Sequence, residues 1–262
     1  MASLHSNRGA KRAREARAAL GHTREGPLPD LLQVVEREGD AHVVLLDLPE
    51  GVAGAFIAKP GCPLLFVNGD QPISRQRFTL AHEFGHCRMG HASVVDEQIA
   101  ISGKLRSPKE ISANAFAAEF LMPKDAIAAW GRANVEGPAT LEHVVLLAYE
   151  YGVSAQAARY ALETAKVIDS KRGDQLDAEI AEEVHFEVAP RLGLEPLDDD
   201  LVDACTHLPR IPAALEGRAF GDFLVGAIDA DELAARVGHD PGAVREMLTA
   251  LKLDRLVPTA AG

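Results

Sequence analysis

The sequence lacks long apolar runs and has few cysteines and few aromatic residues. No apolar run reaches the roughly 18 residues that a membrane-spanning helix requires, so no span is predicted. Its three cysteines form no CxxC pair, which is typical of a reducing compartment. The arginine-rich start leads into an apolar stretch too short for a signal-peptide core. We therefore expect a cytoplasmic protein, whose core is built from Ala, Leu and Val side chains and is mostly helical.

A basic excess is also missing, because 27 basic residues stand against 39 acidic ones and give a net charge of −12. Proteins that bind nucleic acid through phosphate contacts normally carry the opposite balance. Residues 174–203 hold eleven acids and one base, so most of the net charge lies there. Apolar residues at Leu176, Ile180, Val184 and Val188 keep a helical spacing. This segment is therefore predicted to form an acidic amphipathic helix followed by a linker.

Hydrophobic periodicity predicts the remaining elements. Residues 8–20 are typical of a basic helix at a solvated terminus. Three β-type runs at 43–48, 52–58 and 64–68, separated by turn residues, indicate a small antiparallel meander. Helices are predicted at 74–90 and from a Ser107 N-cap to Pro123. Helical pairs follow at 139–166 and 229–256.

The predicted helix 74–90 contains His82-Glu83-Phe84-Gly85-His86, an HExxH motif. Residues four apart point the same way from a helix, so His82 and His86 can bind one metal ion. Glu83 lies about 100° around the helix from His82, beside such an ion rather than on it. A carboxylate in that place can act as a general base. The motif therefore indicates metal-dependent hydrolysis.

A catalytic zinc usually takes three protein ligands, so a third ligand is needed. The acidic residues downstream of the motif are the candidates: Asp96, Glu97, Glu110 and Glu119. Glu110 and Asn114 share one face of their predicted helix. Ser107 and Glu110 also fit an S-x-x-E capping box, in which the glutamate would only satisfy backbone donors. Spacing alone leaves the choice open.

Two segments together resemble the ImmA/IrrE family of metallopeptidases. Residues 75–86 read RQRFTLAHEFGH and residues 110–123 read EISANAFAAEFLMP. The family has an RxxFTLAHELGH helix followed by an ExxANxFAAxLLMP helix, and the likeness covers about residues 27–125. Phe84 and Phe120 replace the leucines that are usual in these motifs. The resemblance implies that His82, His86 and Glu110 bind the metal, that Glu83 is the catalytic base, and that Asn114 orients a ligand imidazole.

The resemblance also implies an α+β fold, in which a zincin-like metallopeptidase domain with a small antiparallel sheet and active-site helices precedes helix-turn-helix-like modules. The predicted segments are a basic extension (1–26), the metallopeptidase domain (27–130), a helix-turn-helix-like module (131–172), an acidic helix and linker (173–204) and a winged-helix-like module (205–262).

One divalent metal ion is the expected cofactor. Zinc is the usual choice for two histidines and a carboxylate, and manganese or iron stay open. Five side chains could stabilise an oxyanion during hydrolysis: His91, Arg75, Arg77, Tyr149 and Tyr151. Because His91 comes five residues after His86, we expect it to lie at the surface or to contact a metal ligand from behind.

The resemblance implies an endopeptidase that cleaves a helix-turn-helix transcriptional repressor and so relieves repression of stress-response or mobile-element genes. An acidic enzyme would attract such a basic partner. The alternative is a non-proteolytic regulator or toxin-antitoxin component that binds protein or DNA. Helix 155–166 offers only Arg159 and Lys166 as cations, too few for a recognition helix. The C-terminal module is expected to dock protein or form a dimer, with DNA binding less favoured.

Overall fold

The computed structural model describes most of the chain. The described residues are 2–22, 26–28, 30–48, 51–58, 63–92, 94–97, 107–194, 215–238, 240–250 and 253. No helix in these ranges is both long enough and apolar enough to cross a bilayer.

The described elements form one small sheet and a larger set of helices. Before the middle of the chain they are α1 Ala2–Ala19, α2 Leu31–Gln33 with a π-helical turn Val34–Glu38, β1 His42–Leu46, β2 Val52–Ile57, β3 Leu64–Asn68, α3 Ile73–Met89 and β4 Val94–Glu97. They continue as α4 Pro108–Leu121, α5 Lys124–Asn134, α6 Leu141–Tyr151, α7 Ala155–Thr164, α8 Ser170–Ala181, α9 His185–Arg191, α10 Leu215–Leu224, α11 Ala230–Val237 and α12 Pro241–Ala250. This is the predicted α+β fold.

The sheet has the strand order β1-β3-β2-β4 and is mixed, so the prediction of an antiparallel meander is wrong. Strand β3 pairs parallel with β1 and antiparallel with β2, and β2 pairs antiparallel with β4. The connection from β1 to β2 therefore passes the end of β3. The Asn68 side chain holds this connection at both ends. Its Oδ1 atom accepts a hydrogen bond from the Leu48 nitrogen, and its Nδ2 atom donates to the carbonyls of Leu48 and, at 2.8 Å, of Val52.

Both faces of strands β1 to β3 are buried, which explains why these strands read as continuous apolar runs. Val43, Leu45, Leu65 and Val67 face the core that contains α3 and α4. Their neighbours in the strands point to a second core under the C-terminal helices, and these are Val44, Leu46, Leu64 and Phe66.

Helices α10 to α12 cover that second face. Phe66 of β3 meets Phe220 of α10 edge-on, with ring centroids 5.4 Å apart. Phe223, Leu233 and Leu248 complete the contact from the three helices. The C-terminal module, for which protein docking or dimer formation was predicted, packs an apolar face against the sheet of its own chain.

One side of helix α1 is buried, so the interpretation of a solvated terminus is wrong for that side. Its small residues Gly9, Ala13 and Ala16 are buried against α4. A Cβ atom at Gly9 would lie 2.0 Å from the Ser112 carbonyl oxygen, so glycine permits this close approach. Arg17 is 1% exposed and also lies in the contact. Sequence reasoning missed this contact because the buried residues of α1 are small and stand between arginines.

The helical pair α6–α7 and the acidic helix α8 share the core with α3 and α4. Arg159 of α7 is 3% exposed and forms ion pairs with Glu163, at 2.6 Å, and with Asp177 of α8. Leu176 and Ile180 are the buried stripe of α8. The predicted acidic amphipathic helix is present only in part, because Glu183, with φ 60°, separates α8 from α9, which carries the buried Val188. Residues 195–204 of the predicted linker lie outside the described ranges.

Candidate metal centre

Helix α3 places His82 and His86 one turn apart on its buried side. Both side chains are fully buried, and their Nε2 atoms are 3.1 Å apart. The helix begins after Pro72, and the Gln76 side chain holds its first turn to the preceding loop by donating to the Gly69 and Gln71 carbonyls. The two imidazoles of the HExxH motif therefore converge as their spacing predicts.

Helix α4 adds the carboxylate of Glu110. Its Oε2 atom lies 3.2 Å from Nε2 of His82 and 3.6 Å from Nε2 of His86. Ser107 caps the helix by accepting a hydrogen bond from the Glu110 backbone nitrogen at 3.2 Å. The cap uses the backbone of Glu110, and the metal group uses its side chain. The Glu110 carboxylate faces the two imidazoles, as the ligand alternative requires, and the described cap is the one made by the Ser107 side chain.

Burial would raise the pKa of the Glu110 carboxyl, but the neighbouring His82 and His86 imidazoles outweigh burial and hold this pKa well below its usual range. The carboxylate is therefore present in its charged form, which is the form that binds a metal ion.

The separations of the three ligand atoms fit a tetrahedral metal ion. Bonds of about 2.0–2.1 Å place tetrahedral ligand atoms about 3.3–3.4 Å apart. The observed separations are 3.1, 3.2 and 3.6 Å. Within the part of the chain that the structure describes, His82, His86 and Glu110 form a buried group that could hold a metal ion.

Asn114 lies behind His82, one helical turn after Glu110. Its Oδ1 atom is 3.0 Å from Nδ1 of His82. An amide oxygen accepts a hydrogen bond, so His82 donates from Nδ1, and its Nε2 atom, which faces His86 and Glu110, can offer a lone pair to a metal. This arrangement fixes the ring orientation that the resemblance implied for a ligand imidazole.

Glu83 is fully buried and lies against strand β2. A Cβ atom at Gly54 would be 2.8 Å from Glu83 Oε1, 2.6 Å from Thr79 Cγ2 and 2.6 Å from the Phe66 carbonyl oxygen. Glycine at position 54 therefore lets the carboxylate and the strand come this close. Sequence reasoning missed Gly54, although a lone glycine inside an apolar strand is a known sign of close approach.

The other acidic candidates do not join the described group. Glu119 forms a 2.9 Å ion pair with Arg14 of α1. Asp96 and Glu97 belong to β4, and their side chains lie outside the described part of the structure.

The candidate oxyanion donors lie in different surroundings. Arg77 is buried, and its guanidinium lies against Gly152 at the end of α6. Tyr151 is 3% exposed within the main core. His91 contacts a ligand, since its Nδ1 atom is 3.0 Å from Nδ1 of His86. Burial, followed by the charges of His86, Lys109 and Arg8, lowers the pKa of His91 to about 4.

Comparison with protein families agrees with this geometry. Residues 37–163 match peptidase M78, a family described as the IrrE N-terminal-like domain, which defines the class as metallopeptidase-like. Both motifs lie within this segment, so the resemblance to the ImmA/IrrE family is confirmed over residues 37–163. The match extends past the predicted boundary at residue 130 and includes most of the helical pair. A comparison with curated proteins found no match.

Proposed function

We propose that this protein is a cytoplasmic, metal-dependent endopeptidase that cleaves a protein partner. The observation that carries the proposal is the convergence of His82, His86 and Glu110 at ligand separations of 3.1–3.6 Å. Two histidines and a carboxylate at such separations are the usual ligand set of a zinc ion. They support zinc as the metal, with the three residues as its ligands.

A divalent ion held there would supply Lewis-acid activation of a peptide carbonyl and of the attacking water. Glu83 would accept the proton of that water and later return it to the leaving amine. Asn114 would keep the His82 ring in position. Burial of the whole group would exclude bulk water and strengthen its electrostatic interactions.

The proposed substrate is a helix-turn-helix transcriptional repressor. Family membership supports a protein substrate of this kind, and the charge of the chain adds to it. In the described part of the acidic segment, Asp174, Glu182, Glu183 and Glu187 are exposed. This surface complements a basic DNA-binding protein. Relief of repression in a stress response or mobile element would follow from cleavage.

The alternative, a regulator that binds DNA, has less support. Arg159 is buried in ion pairs with acidic residues of its own chain. In the C-terminal helices Arg236 pairs with Asp222 and Glu232, and Arg245 pairs with Asp231. These guanidinium groups are already engaged with carboxylates. Glu83 also has no role in a pure binding module.

The test mixes zinc-loaded protein with purified candidate repressors, starting with one encoded next to it. We expect a single cut by the wild type and none by Glu83→Gln, which keeps the shape of the side chain but cannot accept the proton. Both proteins should bind equal zinc. The same cut by both zinc-loaded proteins would refute the endopeptidase proposal.

A further inference from the structure

The end of helix α3 folds the chain back so that His91 returns to His86. Gly90 adopts φ 66° and ψ 36°, in the left-handed region. Its nitrogen donates to the Cys87 carbonyl at 3.0 Å, and the His91 nitrogen donates to the His86 carbonyl at 3.1 Å. This pair of bonds is a Schellman motif, in which the residue after the glycine contacts the residue five positions earlier. In this protein the contacting side chains are both histidines.

The two imidazole rings meet through their Nδ1 atoms, which are 3.0 Å apart. The ring centroids are 4.8 Å apart and the ring planes are at 71°, an edge arrangement. Two ring nitrogens at this distance share one proton, so one donates and the other accepts. The direction of that bond decides which nitrogen of each ring keeps a lone pair.

The other nitrogen of His86 determines this direction. Its Nε2 atom faces Nε2 of His82 and Oε2 of Glu110 and needs its lone pair to bind a metal. The proton of neutral His86 therefore resides on Nδ1 and is donated to Nδ1 of His91. His91 then carries its own proton on Nε2.

We propose that His91 is a positioning residue for the metal ligand His86. It accepts the hydrogen bond from His86 Nδ1, fixes the tautomer that leaves Nε2 free and holds the ring orientation. This inference rests on the proposed metal site. His91 then serves His86 as Asn114 serves His82, so each ligand imidazole has a side-chain acceptor behind it.

The geometry favours this role over two others. His91 contacts the nitrogen of His86 that points away from the metal group, so it is placed behind the ligand instead of beside it as a fourth ligand. An oxyanion donor would have to reach the reacting carbonyl on the metal side. The His91 contact lies on the opposite side of the His86 ring.

The first test uses the wild-type protein loaded with zinc. Nitrogen-15 NMR of labelled histidines distinguishes the two tautomers by long-range couplings to the ring protons. We expect His86 with its proton on Nδ1 and His91 with its proton on Nε2. A proton on Nδ1 of His91 would overturn the proposal without any substitution.

The second test compares His91→Phe, which keeps a ring but has no acceptor, with His91→Gln, which supplies an amide oxygen. Zinc affinity is measured by competition with a chromophoric chelator. We expect His91→Phe to weaken zinc binding by about 10- to 100-fold, as loss of such partners commonly does, and His91→Gln to recover part of that loss. The control is His185→Phe, which removes a half-buried histidine of α9.

The outcomes separate this inference from the proposed function. Wild-type zinc affinity in His91→Phe, or equal loss in both His91 variants, would overturn the positioning role while the metal site stands. Failure of the wild type to bind zinc would overturn both. Partial rescue by glutamine with an unchanged KM for a cleaved partner supports positioning, because a packing role would not depend on an acceptor atom.

Discussion

The buried guanidinium of Arg17 in helix α1 donates a 2.7 Å hydrogen bond to the backbone carbonyl of Phe120 in helix α4. A second bond, of 2.8 Å, goes from Arg17 Nη2 to the Gly26 carbonyl. Burial lowers the pKa of this guanidinium, while the Tyr151 and Glu119 side chains raise it. Helix α4 carries Glu110 and Asn114, so α1 supports the element that supplies one side of the metal centre.

We expect Arg17→Met to lower the free energy of unfolding by about 2–3 kcal/mol, because it removes charge-assisted hydrogen bonds to two backbone carbonyls. Urea denaturation followed by circular dichroism measures the change. Arg12→Met is the matched control, since Arg12 is exposed and pairs only with Glu15 at 2.9 Å among the contacts described for it. The control should change stability by about 0.5 kcal/mol or less. Similar effects of both substitutions would show that α1 does not pack on α4 in solution.

The parts of the site that could be predicted depend on local geometry. His82, Glu83 and His86 follow from helical spacing alone, because five consecutive residues fix their directions. Glu110 could not be chosen by spacing, since the S-x-x-E pattern that begins at Ser107 also predicts a capping role for the Glu110 side chain. The contact of His91 with His86 depends on the turn at Gly90, and a glycine directly after the last residue of a helix predicts such a turn.

The parts of the fold that could not be predicted depend on distant contacts. Strand β3 lies between β1 and β2, and the hydrogen bonds that stabilise this order join Asn68 to Leu48 and Val52, which are 20 and 16 residues away in the chain. The burial of α1 depends on α4, because Gly9 and Ala13 pack against that helix and Gly9 lies close to the Ser112 backbone. Neither partner is visible in the periodicity of one segment. Alternate residues of β1 and β3 face two different cores, and the sequence does not show this division because the residues on both faces are apolar.

Zinc should stabilise the protein through Glu110. We expect zinc at 100 times its dissociation constant to raise the free energy of unfolding by about 2.7 kcal/mol, because the ion binds the folded chain. Glu110→Gln should reduce this gain at the same zinc concentration, since a neutral amide replaces a charged ligand. Thermal denaturation with and without zinc measures the effect.

Glu119→Gln is the control for that prediction, because Glu119 lies on the same helix but pairs with Arg14. It should leave the zinc-induced gain unchanged. An undiminished gain in Glu110→Gln would remove Glu110 from the ligand set and reopen the question of Asp96 and Glu97.

Gly54→Ala should impair cleavage while the metal ligands stay in place. The new Cβ atom would meet Glu83 Oε1 at 2.8 Å and displace the carboxylate. A displacement of about 1 Å can reduce turnover about 100-fold, so we expect kcat to fall by about 10- to 100-fold. Zinc content should equal that of the wild type, as measured by elemental analysis.

The control for Gly54→Ala is the same change in a Glu83→Asp background, in which a shorter carboxylate keeps a measurable residual kcat. If glycine acts through the carboxylate, the second substitution should add little to the loss. Independent, multiplying losses would show that Gly54→Ala acts through the fold of the sheet, where the Phe66 carbonyl is also close, at 2.6 Å.

The C-terminal helices should contribute to the stability of the sheet through Phe220. Phe220→Ala removes a side chain that is 1% exposed and packs on Phe66, so we expect a loss of about 3–5 kcal/mol in the free energy of unfolding. Val225→Ala, in the turn after α10, is the control because Val225 is 79% exposed. It should change stability by about 0.5 kcal/mol or less.

A double-mutant cycle shows whether Phe66 and Phe220 stabilise the protein through each other. The two single alanine substitutions should add to more than the loss in the double variant, with a coupling of about 0.5–1.5 kcal/mol for an edge-on aromatic pair. The coupling requires that α10 lie on β3 in solution. Additive losses would mean that α10 does not lie on β3 in solution, and the apolar face of the module would then be available to a partner.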